Sequence, residues 1–133
     1  MERTYIMLKP DAIRRNLMGE IIGRIEKKGY KITDMKMFTL NEDILREHYA
    51  HIVDKPFFPE VVEYMTSGPV VGMIVEGESV IKGMRMLMGT TKYLDAHIGT
   101  IRGDFSCNDR ENLIHGSDAP ETAEAEIKRF FGK

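Results

Sequence analysis

Apolar residues along the chain fall into short runs and helical stripes separated by polar stretches. "TYIMLKP" (4–10) sets four apolar side chains together and closes on Lys9 and Pro10. A run this short, ended by a residue without an N–H, predicts a buried strand. In "GEIIGRIEKKG" (19–29) Ile21, Ile22 and Ile25 share one helical face, and Gly29 stops the helix. "YKITDMKMFTL" (30–40) is rich in β-branched and aromatic residues and predicts a second strand. Helices are predicted over 42–52, behind Asn41 as cap with acids in the first turn, and over 59–66, opened by Pro59. "PVVGMIV" (69–75) reads as a third strand. Val80, Ile81, Met84, Leu87 and Met88 then recur at helical spacing between Ser79 as cap and Gly89 as stop. A last helix opens with Asp118, Pro120 and Glu121 in a capping-box-like start and runs to about Phe131, its apolar face made by Ala123, Ile127, Phe130 and Phe131.

Residues 89–111 show no clear period, and a stretch that long inside a compact domain is more often functional than idle. It contains "GTIRGDF" (99–105), two glycines bracketing Arg102. Nothing repeats at a fixed period and no Gly/Ser or Pro linker divides the chain, so residues 1–133 are expected to form one domain. Taken alone, the alternation of strands and helices predicts a parallel, doubly wound sheet.

Composition narrows the function classes. The 133 residues carry 19 basic and 21 acidic side chains, a net charge of -2, with no long block of like charge. That argues against attachment to nucleic acid or membrane through a basic tail. Cys107 is the single cysteine and has no partner for an internal disulfide; no N-terminal apolar run resembles a signal peptide or a spanning helix. A reduced, cytoplasmic setting is the expectation.

No G-x-x-x-x-G-K-[ST] or G-x-G-x-x-G occurs, so any phosphate must be held by side chains and not by a glycine-rich cradle of amides. Lys9 at a strand end, Arg85 at the border of a helical stripe and Arg102 in its glycine-bracketed loop are candidates, although each alone reads as an ordinary solvated charge. His48 and His51 stand three apart on one predicted helix without a third ligand at zinc-like spacing, which disfavours a metal cluster. His115 in "NLIHGSD" (112–118) is either a hydrogen-bonded structural histidine or a reactive one. Its surroundings favour reaction. Neutral imidazole is a nucleophile near pH 7, because its ordinary pKa is about 6.5, provided a partner holds one tautomer. Gly116 permits close backbone approach, Ser117 supplies a hydroxyl, and Asp118 precedes a helix whose positive end favours phosphate. Glu126 lies at the edge of that helix's apolar face, either half-buried towards His115 or an ordinary exposed acid.

"YIMLKPDA" (5–12), "KPFFPEVVEYMTSGPVV" (55–71), "GTIRGDF" and "NLIHGSD", in this order, resemble nucleoside diphosphate kinases over essentially the whole chain. The resemblance implies a ferredoxin-like α+β core, an antiparallel four-stranded sheet covered by helices, with strands near 4–9, 32–39, 70–76 and a last one within about 103–114. It implies transfer of the γ-phosphoryl group of a nucleoside triphosphate to a nucleoside diphosphate through a phosphohistidine. His115 matches the nucleophile; Ser117 and Glu126 match the groups that orient it, and Tyr49 a tyrosine near the transferred phosphate. Lys9 matches the lysine on phosphates and ribose, Asn112 the asparagine on the ribose hydroxyls, and Phe57 the aromatic that stacks on the base, leaving Phe58 for the core. Arg85, Thr91 and Arg102 match the phosphate-binding set. Mg2+ is expected to be held by the nucleotide phosphates and not by a dedicated protein site.

Stacking tolerates every base, so broad nucleotide specificity is expected, and one histidine serving both half-reactions implies ping-pong kinetics. A homo-oligomer is implied, a hexamer in preference to a tetramer. The chain departs from the family pattern at Thr90–Tyr93, at His97 and Ile98, and at Glu111, where an arginine is frequent. The altered loop commonly contributes to subunit contacts, so these departures bear on assembly. Two rivals stand beside the enzyme: a nucleotide-binding regulatory member with weak or no turnover, and a scaffold protein in which His115 only hydrogen-bonds.

Overall fold

A computed structural model describes residues 1–133. Strand β1 (Glu2–Leu8) leads through the short helix α1 (Pro10–Arg14) into α2 (Met18–Lys28) and then β2 (Lys31–Phe38). Helices α3 (Glu42–His48) and α4 (Phe58–Met65) follow, then β3 (Val70–Gly77) and α5 (Val80–Met88). The final third holds α6 (Ile101–Phe105), β4 (Ile114–Gly116) and α7 (Pro120–Phe131). The strands lie in the order β2-β3-β1-β4 and every pairing is antiparallel. The parallel sheet suggested by simple alternation is therefore wrong, and the antiparallel sheet implied by the family resemblance is right. No helix is long and apolar enough to cross a membrane.

The two central strands are buried on both faces, which is why β1 and β3 read as continuous apolar runs. Successive residues of β1 feed opposite layers. Ile6 and Leu8 pack with Ile21 and Ile25 of α2, Met84 and Met88 of α5 and Ile101 of α6. Tyr5 and Met7 pack with Leu45 of α3, Met65 of α4, and Ile127 and Phe130 of α7. Each fully buried aliphatic side chain of these layers contributes about 1.5–3 kcal/mol of burial. Helix α2 ends as its sequence predicts, with Gly29 in the left-handed region at φ 103°.

Five local expectations need correction. The last strand, expected within about 103–114, is Ile114–Gly116, and "GTIRGDF" forms α6, whose start is capped by Thr100 accepting from the Gly103 N–H. Pro10 opens α1 as well as closing the strand, because a missing N–H costs nothing at a helix start. Ser79 has φ 53° and makes no cap; the carboxylate of Glu2 instead accepts from the Ile81 N–H at 2.9 Å. The residue preceding α7 is Ala119, and neither it nor Asp118 provides a side-chain cap. Asn41 does cap α3, accepting from Ile44 N at 3.0 Å, but that helix stops at His48 and a short 3-10 turn follows at Ala50–Ile52.

β1 and β4 position the chemistry. Met7 faces His115 across the ladder, and the Lys9 N–H just beyond β1 donates to the Leu113 carbonyl at 2.8 Å. Leu113 is buried with φ 74°, and Ile114 N donates to the Asn112 carbonyl at 2.8 Å. This strained γ-turn brings Asn112 back to Lys9 and starts β4 at His115's neighbour. A Cβ on Gly116 would lie 2.6 Å from the Met88 sulfur, so this position uses glycine for close approach to α5.

Candidate active site

His115 sits on the edge strand β4 with its side chain 22% exposed. Its Nε2 lies 2.9 Å from Glu126 Oε1, and the Ser117 hydroxyl donates to the same oxygen at 2.6 Å. A carboxylate can only accept, so Nε2 carries the proton and Nδ1 keeps its lone pair. Glu126 is buried on α7. Burial pushes its carboxyl up, but the hydrogen bond and charge of His115, the Ser117 hydroxyl and His48 outweigh that and leave it below the ordinary carboxylate value. Ser117 is locked in turn between the backbone N–H and carbonyl of Tyr5 on β1.

His48 stands behind this pair. Its ring meets the His115 ring edge to face at 5.0 Å, and its Nδ1 is 3.8 Å from Glu126 Oε2. Arg129 Nη1 approaches the same Nδ1 at 3.0 Å. Burial above all, then the nearby His115 and Arg129, pushes the His48 imidazole down to about 3, so it is neutral at physiological pH.

Two adjoining cavities open here. One, about 640 Å³, is lined by His115, His48, Tyr49, Arg85, Glu126 and Arg129 among others. The second, about 420 Å³, is lined by Lys9, Tyr49, Phe57, Glu60, Val61 and Arg110 among others, and Tyr49 belongs to both. The first is polar and the second largely apolar, a division that suits a phosphate end and a base end. Phe57 is 46% exposed at the head of α4 while Phe58 is buried, as the sequence suggests. Burial and the charge of Glu126 push the Tyr49 hydroxyl up to about 12, so it stays a neutral donor.

Lys9 is half-buried and its Nζ donates to Asn112 Oδ1 at 2.8 Å. Burial, reinforced by Arg102 and partly offset by Asp11, pushes its ammonium down to about 8. Arg85 is exposed, and its Nη1 donates to the Gly116 carbonyl at 3.1 Å beside His115. Arg102 is almost wholly buried and braces the backbone, donating to the carbonyls of Gly89, Asn112 and Ile114. Burial, with Arg85 nearby, pushes it down to about 10. Thr91 is exposed and lines neither cavity. The structure thus gathers His115, Ser117, Glu126, Tyr49, Lys9, Asn112, Phe57 and Arg85 around the two cavities, sets Arg102 behind them and leaves Thr91 outside their walls.

Sequence reasoning passed over His48 as a site neighbour and did not consider Arg129. Their signal was spacing: His48 follows the buried Leu45 by three, and Arg129 follows Glu126 by three. Glu111, the departure from the family pattern, pairs with Arg14 on α1 and does not enter either cavity. His48, His115 and Glu126 bring one ligand atom each within 4.8 Å of one another, a trio that sequence spacing did not disclose. In this arrangement His115 Nε2 and Glu126 Oε1 are engaged with each other, Oε1 also with Ser117, and His48 Nδ1 with Arg129. Asp118 and Glu121 line the same cavity and supply the hard oxygens that suit a divalent cation carried in on phosphates.

The sequence model for nucleoside diphosphate kinases matches residues 2–133. A nucleoside diphosphate kinase of Acetivibrio thermocellus is 50% identical over 131 residues, 98% of this chain and 96% of that protein. Its counterpart in Archaeoglobus fulgidus is 51% identical over 131 residues, 98% of this chain and 87% of that protein. Among solved structures, the apo enzyme of Encephalitozoon cuniculi superposes with a TM-score of 0.96 at 45% identity, covering 100% of this chain and 90% of that one. The Halobacterium salinarum enzyme in complex with CDP gives 0.95 at 46% identity, covering 99% and 88%.

Proposed function

This chain belongs to the nucleoside diphosphate kinase family, and from that premise we propose how its own residues carry the transfer of a γ-phosphoryl group between nucleotides. His115 Nδ1 attacks the γ-phosphorus of a nucleoside triphosphate. The bond from that phosphorus to the β–γ bridging oxygen breaks, and the diphosphate leaves with the electron pair. A nucleoside diphosphate then enters the same cavity, and its terminal phosphate oxygen takes the phosphoryl group back from nitrogen. One nucleophile serving both halves gives ping-pong turnover.

The observation that carries this reading is the 2.9 Å contact between His115 Nε2 and Glu126 Oε1. It selects the tautomer that frees Nδ1 and places a negative charge where the ring becomes cationic on phosphorylation. Ser117 holds Glu126, Tyr49 donates towards the transferred group, and Arg85 meets its oxygens. Lys9 and Asn112, already joined, meet the β-phosphate and ribose, and Phe57 stacks on the base. Arg102 serves the phosphate-binding set chiefly by bracing the turn before His115, and Thr91, outside both cavity walls, is assigned to that set on the family resemblance alone. A reaction of this family needs a divalent cation; we assign Mg2+, which would enter with the nucleotide phosphates and would offset part of their negative charge, with the carboxylates of Asp118 and Glu121 on the cavity wall.

The remaining parts of the proposal are one domain over residues 1–133, a cytoplasmic setting, and a homo-oligomer, hexamer in preference to tetramer. Exposed Met35 and Met37 on the edge strand β2 support assembly. A purely regulatory member is less well supported, because the nucleophile is already oriented. Incubation with γ-labelled ATP tests the activity: acid-labile label on the chain, discharged by any nucleoside diphosphate, is expected. Label that stays on the protein points to the regulatory reading, and no label at all overturns the assignment.

A further inference from the structure

We propose that Arg129 is a positioning residue for phosphotransfer: its guanidinium occupies Nδ1 of His48 and thereby keeps His48 from competing with His115 and Ser117 for the Glu126 carboxylate. The inference rests on the assignment of His115 as nucleophile.

Glu126 has two oxygens and two imidazoles within reach. Oε1 is taken by His115 at 2.9 Å and by Ser117 at 2.6 Å. Oε2 lies 3.8 Å from His48 Nδ1, beyond hydrogen-bond distance but near enough that a proton on that nitrogen would turn a second positive N–H end towards the carboxylate. Such a proton would draw the carboxylate's charge away from His115 and weaken its Nδ1 as a nucleophile. Arg129 Nη1 stands 3.0 Å from His48 Nδ1, and an arginine can only donate. The lone pair at Nδ1 is therefore spent, and the His48 proton must reside on Nε2.

The setting supports a dedicated device. His48 is wedged edge-on between Tyr49 and Phe130, at 4.7 and 5.2 Å between ring centroids, which stops the ring from turning away. The charged and titratable groups facing it are His115 on β4, Glu126 and Arg129 on α7, Tyr49 beside it, and Lys9 at the end of β1. Only Glu126 among these favours a second proton on the ring. The Arg129 side chain is only 17% exposed, and the carboxylate of Glu47 on α3 lies 3.4 Å from its Nε as an ion pair without a hydrogen bond. The guanidinium lines the same cavity as His115, and its Nη1 is the atom directed at His48.

The test compares single-turnover phosphorylation by ATP in wild type, Arg129→Met and Arg129→Met/His48→Gln at about pH 7.5. Arg129→Met should be phosphorylated about tenfold more slowly, because burial keeps His48 neutral and its one proton is then free to sit on Nδ1, facing Glu126. The double variant, which has no imidazole there, should recover most of the wild-type rate. Nitrogen NMR of the wild-type apo protein provides a readout independent of activity and of how well the variants fold. His48 should hold its proton on Nε2 alone from about pH 5 to pH 8. Equal phosphorylation rates in wild type and Arg129→Met overturn the proposal, as does a His48 proton on Nδ1 in the wild type. A raised KM at an unchanged phosphorylation rate also overturns it, assigning Arg129 to the phosphates directly. Absence of any phosphohistidine in wild type sinks the functional assignment instead, while the His48 spectrum still reports on the contact.

Discussion

His115 Nε2 and Glu126 Oε1, eleven residues apart in sequence, meet at 2.9 Å, and that contact decides which imidazole nitrogen faces the cavity. Replacing Glu126 by Gln keeps an acceptor of the same shape but removes the charge that offsets the developing imidazolium. Phosphorylation of His115 is expected to slow by about 10²–10⁴-fold, measured by rapid quench with labelled ATP. A loss below tenfold contradicts the role given to the carboxylate.

The same carboxylate links stability to pH. Its folded pKa is below the unfolded value of about 4.5, so its contribution is present above that range and is lost as pH falls through the depressed folded value. Thermal melts from pH 7 down to about pH 3 should therefore show wild type losing stability in acid faster than Glu126→Gln. Parallel curves for the two proteins argue against a paired, ionised Glu126.

His115→Ala should abolish turnover and leave a cooperatively folded chain. The side chain lies on an edge strand and reacts more than it packs, but its loss leaves Glu126 with Ser117 as its short-range donor. A cost of about 1–3 kcal/mol is expected, read from denaturant melts alongside a null label-transfer assay. A molten or aggregated variant is inconsistent with this placement.

Lys9 predicts an alkaline limb. Burial pushes its ammonium down to about 8, so the cation facing the phosphates fades above that pH and KM for nucleotides rises. The unfolded chain holds this proton up to about pH 10.4, so between the two values the unfolded state binds more protons and stability itself climbs with pH. Falling affinity and rising stability should thus part company above pH 8. Lys9→Arg, always charged, should flatten the limb in KM; an unchanged limb assigns the titration to another group.

Phe57→Ala removes a ring face that any base can use. The loss of stacking, about 1–3 kcal/mol, should raise KM for adenine, guanine, cytosine and uracil nucleotides by similar factors in steady-state assays. A defect confined to one base overturns the stacking role.

Much of the architecture is legible in local pattern. The four-apolar run before Pro10 is β1, the isoleucine stripe of 19–29 is α2, and the Val80 to Met88 stripe is α5. These elements follow from side-chain periodicity and stop signals, which act between near neighbours. The 101–105 helix escaped notice because five residues are too few for a period, and its Thr100 cap is a weak signal without one. β4 was misplaced for a similar reason: three residues, two of them His and Gly, are held by pairing with β1 and not by strand propensity.

The sequence by itself determined the longer helices and the central strands and, through "NLIHGSD" and its companion segments, the family. Tertiary structure alone decided that β3 lies between β1 and β2, that Arg102 serves the backbone, and that Arg129 and His48 stand behind Glu126. The physical reason is range. Helical and strand periodicity are written in neighbours a few residues apart, whereas a tautomer is chosen by a carboxylate and a guanidinium that reach the site only after α3, α7 and β4 have packed on one sheet.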